Sequence, residues 1–409
     1  MRPLVRLFHR ILCVQGAHVR EVALASDASV EVSVSLHGNT KPKCPTCHQV
    51  MRLTGVQEHV KWRHLDLFRV TCFLAADLRI GRCPRHGQRL ECVPWATPRA
   101  RHTRAFDRQV ASLVQVADRS AAARMFGIVW RTVERIVKRV VAEELPRDLL
   151  DGVIAITVDE TSYKRGHRYV TVVTDLLERR VIWVGEGKSG RTLEAFFEEL
   201  GKRRSANLEV VAIDMSAAYI AVLKDRVPQA DVVFDRFHVV KLMLEAIDEI
   251  RRDECRQLRG DARQALKGMR YAFLANPKFK RPRDVQAIKA AVRSNRRLLA
   301  AYERRISFEH LWEYKSEAHA RGFLMRWTRS ALLSRLKPLR RFARTVRAHL
   351  DGILGFVRYE GTLTSAFAEG MNNKIKLQLH KAFGFATVAG FMAMIKLCCC
   401  GIDLRQGAA

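Results

Sequence analysis

The sequence predicts a multidomain α/β chain centred on a mixed five-stranded sheet with flanking helices. Three observations predict it. Residues 152–240 run strand, strand, strand, helix, strand, helix, strand, with β-branched strands and short connections. Residues 241–355 are almost wholly helical in pattern and rich in arginine. Ahead of both, residues 1–95 mix short alternating strands with Cys, His and Pro punctuation, and residues 100–145 read as helices.

Bulk composition narrows the class. The 409 residues suffice for two to four domains at about 100–200 residues each. Lys+Arg 72 against Asp+Glu 42 leaves a net charge of +30, an excess that implies a polyanionic partner, with nucleic acid ahead of membrane lipid. Of the cysteines, Cys398, Cys399 and Cys400 are consecutive, and Cys13, Cys72 and Cys255 stand singly. That is not a disulfide framework; it suits a reduced cytosol. The opening "MRPLVRLFHRILCV" is too interrupted by Arg6, His9 and Arg10 for a secretory signal. "ATVAGFMAMIKLCCCGIDL" is the most apolar run, but Lys396 in its middle makes it a buried core helix rather than a membrane span. The expectation is a cytoplasmic, nucleoid-associated protein without membrane contact.

Two short motifs in the first segment have ligand spacing. "CPTC" (Cys44, Cys47) and "CPRHG" (Cys83, His86) each separate two donors by two residues. Such turns aim both donors at one ion, and together they make a closed Cys3His set for one structural Zn²⁺. The intervening "WRHLDLFRVTCFLAADLRI" alternates like a hairpin, and His48, His64, Cys72 and Cys92 are the substitute ligands.

"SAAARMFGIVWRTVERIVKR", residues 120–139, fits a helix-turn-helix. Ala122 and Ala123 allow close helix approach, Gly127 relaxes the turn, and Phe126, Ile128, Val133, Ile136 and Val137 form the apolar face. Arg131, Arg135, Lys138 and Arg139 on the second helix suit phosphates and guanine edges.

"IAITVDETSY", residues 154–163, is a strand built for burial that delivers Asp159 and Glu160. Asp214 follows the apolar run Val210–Ile213 in the same manner. Carboxylates brought together repel unless one is protonated or a cation intervenes. Mg²⁺, held by one or two carboxylates plus phosphate oxygens, meets that need, and two such ions can serve a phosphoryl displacement. Glu369 in "SAFAEGMNNKIKLQLHK" is the candidate third acid, on a helix that Ser365 could cap. Asn372, Asn373, Lys374 and Lys376 follow as phosphate contacts. Glu160 is the near alternative to Asp159, and Asp235 to Asp214. Trp312 and Trp327 in the Arg-rich block are either core residues or part of a DNA-contacting surface.

"VDETSYKRGHRYVTVVTD", "AIDMSAAY", "FDRFHVVK" and "AEGMNNKIK" together resemble the DDE transposases of bacterial insertion sequences, nearest the ISL-three type. That family also carries a finger of the "CPTC … WRHLD … CPRHG" kind and a helix-turn-helix, so the resemblance spans nearly the whole chain in order. It implies a ribonuclease-H-like catalytic domain, in which the first and fourth strands are neighbours, built from residues 152–240 and 356–405. Residues 241–355 would be a helical insertion, residues 1–95 the finger region and residues 100–145 the helix-turn-helix domain. It further implies catalytic Asp159, Asp214 and Glu369 binding two Mg²⁺ (or Mn²⁺), with Asp235 and His238 matching an Asp-x-x-His signature that supports the site.

The implied activity is a transposase. It would bind double-stranded DNA at the terminal inverted repeats, cleave there and direct the freed 3′-hydroxyl at target DNA, as a homo-oligomer on paired ends. The alternatives are a domesticated DNA-binding regulator without catalysis and a structure-specific nuclease on the same fold.

Overall fold

A computed structural model describes residues 2–12, 14, 16–25, 27–36, 41–68, 70–164, 166, 168–275, 281–293, 295–359, 365–382 and 384–404, with backbone alone at 2, 56, 57 and 365–369. Cys13 and the side chain of Glu369 therefore lie outside the described residues. The chain divides into two compact units: Met1–Leu145 with Lys381–Phe383 and Lys396–Ala409, and Pro146–His380 with Gly384–Ile395.

The first unit opens with α1 (Arg2–Leu12), then β1 (Ala17–Leu24), β2 (Val30–Leu36), β3 (Arg52–Arg63), β4 (Cys72–Cys83) and β5 (Gly87–Leu90). The sheet runs β1-β2-β4-β3, with β5 also on β4. β3 and β4 are the antiparallel pair expected between the two cysteine motifs, whereas β2 pairs with β4 in parallel. Alternate residues Val32 and Val34, Trp62, and Leu74, Ala76 and Leu78 fill the core face, where Trp62 meets Trp95 edge-on at 5.8 Å.

Three helices follow: α2 (Arg104–Val116), α3 (Arg119–Met125) and α4 (Trp130–Glu144). Asp118 caps α3 by accepting from the Ala121 N–H at 2.8 Å. Gly127, with φ +62°, supplies the left-handed residue of the turn between α3 and α4. Ala122, Phe126, Val133, Ile136 and Val137 are buried, as the apolar pattern predicts.

The second unit contains β6 (Ala155–Lys164), β7 (Arg168–Asp175), β8 (Arg180–Glu186), α5 (Gly190–Leu200), α6 (Lys202–Ser205), β9 (Val210–Ile213), α7 (Ala217–Arg226) and β10 (Asp231–Phe234). The sheet order is β10-β9-β6-β7-β8. β6, β7 and β8 form an antiparallel meander, and β9 and β10 continue from β6 in parallel. β6 is buried on both faces: Ile156 and Val158 join the main core, and Ala155 packs with Val210 and Val233 on the other side.

The helical block comprises α8 (Arg236–Gln257), α9 (Gly260–Gly268), α10 (Arg270–Leu274), α11 (Pro282–Arg293), α12 (Arg296–Glu309), α13 (Glu317–Leu333), α14 (Lys337–Ala348) and α15 (Leu350–Arg358). Its core is continuous with that of the sheet. α8 starts directly after β10 and runs unbroken through residue 240. α15 returns onto β10, where Gly352 and Gly355 let its backbone lie against Phe234 and Val233. Trp327 is buried, its indole N–H donating to Arg304 O at 3.0 Å, and Trp312 packs on the same core. Both tryptophans are core residues. α16 (Ser365–Lys381) and α17 (Val388–Cys399) close the chain. Among the described residues, no helix is long and apolar enough to cross a membrane.

Candidate active site and metal centre

In the first unit, the two cysteine motifs meet. The Sγ atoms of Cys44, Cys47 and Cys83 and a ring nitrogen of His86 all lie within 4.8 Å of one another. Cys47 Sγ is 3.6 Å from Cys83 Sγ, and His86 Nδ1 is 3.7 Å from both Cys44 Sγ and Cys83 Sγ. A tetrahedral Zn²⁺ with sulfur at about 2.3 Å requires donor separations of roughly 3.8 Å, so the four residues fit it and could hold a metal ion. Cys44 is fully buried. Burial raises its thiol pKa, but the backbone N–H groups of Cys47 and Thr46 and the thiols of Cys83 and Cys47 overcome that and bring it down to about 6. Two of the substitute ligands lie elsewhere: buried His64 Nδ1 is 2.9 Å from Thr103 Oγ1, and Cys72 belongs to the sheet core.

On α4, Arg131 and Arg135 are exposed. Lys138 and Arg139 are half-buried and engaged: Lys138 Nζ pairs with Glu134 at 2.8 Å, and Arg139 donates twice to buried Asp107 at 2.8 and 3.0 Å. Arg139 thus ties α4 to α2, a link the sequence pattern did not reveal because it joins residues 32 apart.

In the second unit, strand register places the acids. Thr157 pairs with Ala212 across β6 and β9, so two residues on, Asp159 stands abreast of Asp214. Ile213 pairs with Phe234 across β9 and β10, so Asp235 stands abreast of Asp214, its N–H donating to Ile213 O at 3.1 Å. In this row, Asp214 and Asp235 directly follow the carboxyl ends of β9 and β10, the edge at which α/β sheets expose ligand sites, and Asp159 stands level with them midway along β6. These three side chains and His238 line one cavity, which Arg236 and Phe356 also line.

Local bonds hold the row. Asp159 Oδ1 accepts from the Glu160 N–H at 2.6 Å, Asp214 Oδ1 from Ser216 N–H at 3.0 Å, and Asp235 Oδ1 from Phe237 N–H at 2.9 Å as the cap of α8. The Asn372 amide, from α16, donates to Asp159 Oδ2. His238 Nδ1 lies 3.4 Å from Asp235 Oδ2, at ion-pair distance but out of hydrogen-bond alignment. The Asp235 carboxylate raises the His238 pKa against burial, with the charges of Asp159 and Asp214 adding to it. No described lysine or arginine forms an ion pair with Asp159 or Asp214.

Glu160, next along the strand, points to the opposite face. Burial raises its carboxyl pKa; Tyr219 acts against that, while the charges of Asp214 and Asp159 reinforce it. Buried Tyr219 is itself fixed by Thr171, with the two hydroxyl oxygens 3.0 Å apart. On α16, Asn373, Lys374 and Lys376 are exposed, and Asn372 is half-buried against Asp159. Sequence reading missed that partnership, assigning Asn372 to phosphate alone.

Residues 156–395 match a family model described as "Transposase", and residues 91–141 match "Helix-turn-helix domain of transposase family ISL3". The chain is 31% identical over 387 residues to the "Transposase for insertion sequence element IS1001" of Bordetella parapertussis, covering 93% of this chain and 95% of that one. It is 33% identical over 365 residues to the "Transposase for insertion sequence element IS1557" of Mycobacterium tuberculosis (strain CDC 1551 / Oshkosh), covering 83% and 82%. Similarity of this length, on both the helix-turn-helix and the acid-bearing unit, leads to one conclusion: the chain belongs to the ISL3-type DDE transposase family.

Proposed function

We propose that this chain binds the terminal inverted repeats of an insertion sequence and catalyses metal-dependent strand cleavage and strand transfer at its ends. The observation that carries this is the row of carboxylates standing level across β6, β9 and β10, with no lysine or arginine ion-paired to Asp159 or Asp214 among the described residues. Half-buried carboxylates so arranged call for a cation, and a divalent ion with open positions for phosphate oxygens suits the donor set. When bound, two Mg²⁺ or Mn²⁺ ions would polarise the scissile phosphate and lower the pKa of the attacking water.

Asp159 and Asp214 are the proposed holders of both ions, and Glu369 completes the set. Its support is indirect: Glu369 precedes Asn372 by three positions on α16, one helical face, and Asn372 reaches Asp159. Asn372 orients Asp159 through its second oxygen, and Asp235 and His238 support the site. The ribonuclease-H-like assignment rests on the sheet order and directions, an antiparallel meander continued by two parallel strands. The division into 152–240 with 356–405 and an insertion at 241–355 rests on the same resemblance, with α8 and α15 as continuous helices across both boundaries.

In the first step a water oxygen attacks the phosphorus at the element's end, and the 3′-oxygen leaves as a hydroxyl. That hydroxyl then attacks a target phosphodiester and displaces its 3′-oxygen, so no covalent enzyme intermediate forms. The Cys3His set holds one structural Zn²⁺, and Arg131 and Arg135 contact the repeat. Arg139 and Lys138 serve chiefly to hold α4. The protein works as a homo-oligomer on paired ends, in the cytoplasm on the nucleoid.

The test is product analysis. Full-length protein, Mg²⁺, a supercoiled target and a duplex bearing the inverted repeat that flanks the coding sequence should yield nicked ends and joined products. Repeat binding without nicking would instead indicate a regulator, and cutting of branched DNA regardless of end sequence a structure-specific nuclease.

A further inference from the structure

α8 leaves the acid row with a large apolar side chain standing in water. Phe237 is 61% exposed, yet its backbone N–H is pinned to Asp235 Oδ1 at 2.9 Å, and its ring meets His238 edge-on at 5.5 Å. From Phe237 a groove of ≈ 360 Å³ runs between α8 and α10, floored by Val240, Leu244 and Leu274 and rimmed by Lys241 and Arg270. That volume falls in the range of about 300–1,000 Å³ typical of small-ligand pockets. The acids on its wall do not make it an anion-repelling site. Asp248 is buried and shared by three guanidinium groups, Arg251 at 2.7 Å, Arg252 at 3.3 Å and Arg270 at 3.8 Å, so positive charge outweighs it there, and Lys241 faces Glu245 at the surface.

An apolar floor, an exposed aromatic lip and a cationic rim are what an unpaired nucleotide needs: a face to stack on, a dry slot for the base and charge for its phosphate. The eight residues of helix from Phe237 to Leu244 span about 10 Å, the reach of a nucleotide or two. Resting on the transposase reading above, we propose that this groove receives a base unstacked from the DNA strand beside the scissile phosphate, with Phe237 as the stacking platform. Phe237 is then a positioning residue. By holding one base out of the helix, it would turn the adjoining phosphate towards the acid row.

The experiment measures binding of the full chain, with Ca²⁺ replacing Mg²⁺, to two repeat-bearing DNAs. One is fully paired, and the other has two unpaired nucleotides, one of them 2-aminopurine, at the cleavage position. The native chain should prefer the fork. Phe237→Ala should lower the fork-to-duplex affinity ratio about tenfold, the scale of one base–aromatic stack. Phe237→Trp should restore it, and 2-aminopurine emission should respond to the native and Trp forms only. A ratio unchanged in Phe237→Ala, or restored as well by Phe237→Leu, overturns the proposal. So does self-association that Phe237→Ala abolishes while fork preference persists, which assigns the groove to a second copy. A chain that nicks repeat DNA in Mg²⁺ yet keeps its fork preference without Phe237 overturns the groove alone. Failure to nick at all counts against the transposase reading itself.

Discussion

Asn372 on α16 donates its side-chain amide to Asp159 Oδ2 on β6, joining residues 213 apart in the chain. The bond leaves the Asp159 carboxylate oriented from both sides, since Oδ1 already accepts from the Glu160 N–H. Groups that orient a metal-binding carboxylate typically cost about 10–100-fold in activity when removed. Asn372→Ala should therefore slow end cleavage by that factor through kcat, with affinity for the repeat little changed. A loss confined to binding would return Asn372 to the role of a phosphate contact.

The Cys3His cluster should carry one zinc per chain as purified, and Cys44→Ser or Cys83→Ser should release it. Metal-binding energy in such knuckles is largely folding energy, so removal should loosen the local structure as well. Metal analysis and limited proteolysis between residues 41 and 92 check both points. A metal-free chain with the native cleavage pattern would contradict the assignment.

The four basic residues of α4 should separate into two classes. Arg131→Ala with Arg135→Ala should weaken repeat binding and reduce the salt dependence of log K by about one per lost phosphate contact. Arg139→Ala should instead destabilise the fold, by up to about 3–5 kcal/mol, because it strands the buried Asp107 carboxylate. Denaturant melts compared with filter-binding titrations distinguish the two; a stable Arg139→Ala chain with weak DNA binding would reverse the roles.

Burial holds the His64 pKa at about 4, well below the ordinary histidine value. A depressed folded-state pKa means stability that is present above pH 6.5 and lost as pH falls towards about 4. The shift corresponds to about 3 kcal/mol at most. His64→Gln, which keeps a polar partner for Thr103 without titrating, should narrow the stability gap to the native chain as pH drops through that window. Urea melts at several pH values measure it, and a pH-independent gap would show that His64 does not carry the acid sensitivity.

The sequence revealed most where the signal is local. Apolar periodicity located β6 and its Asp159, β9 and its Asp214, and the Ala–Gly pattern located α3, its turn and α4. Ligand spacing located the Cys3His cluster, since two residues between donors already implies a turn. Pairings were less legible. Period-2 alternation cannot say that β6 lies beside β9, and that adjacency alone sets Asp159 abreast of Asp214. Nor could it show that Asp235 extends the row, or that Arg139 is committed to Asp107. The side-chain patterns of Trp312 and Trp327 fit a surface or a core equally well; only the helices packed around them decide it. Phe237 went unnoticed because one aromatic at the start of a helix carries no periodic signal.

The central claim is that Asp159, Asp214 and Glu369 serve one metal-dependent site. Its most direct test is the single-turnover rate of Mg²⁺-dependent nicking on repeat-bearing DNA for Asp159→Ala, Asp214→Ala and Glu369→Ala, each with its DNA affinity measured alongside. Loss of a shared metal site removes several kcal/mol of transition-state stabilisation, so each variant should nick at least about 10³-fold more slowly while still binding the repeat. Nicking at the native rate by any one of the three would contradict the claim.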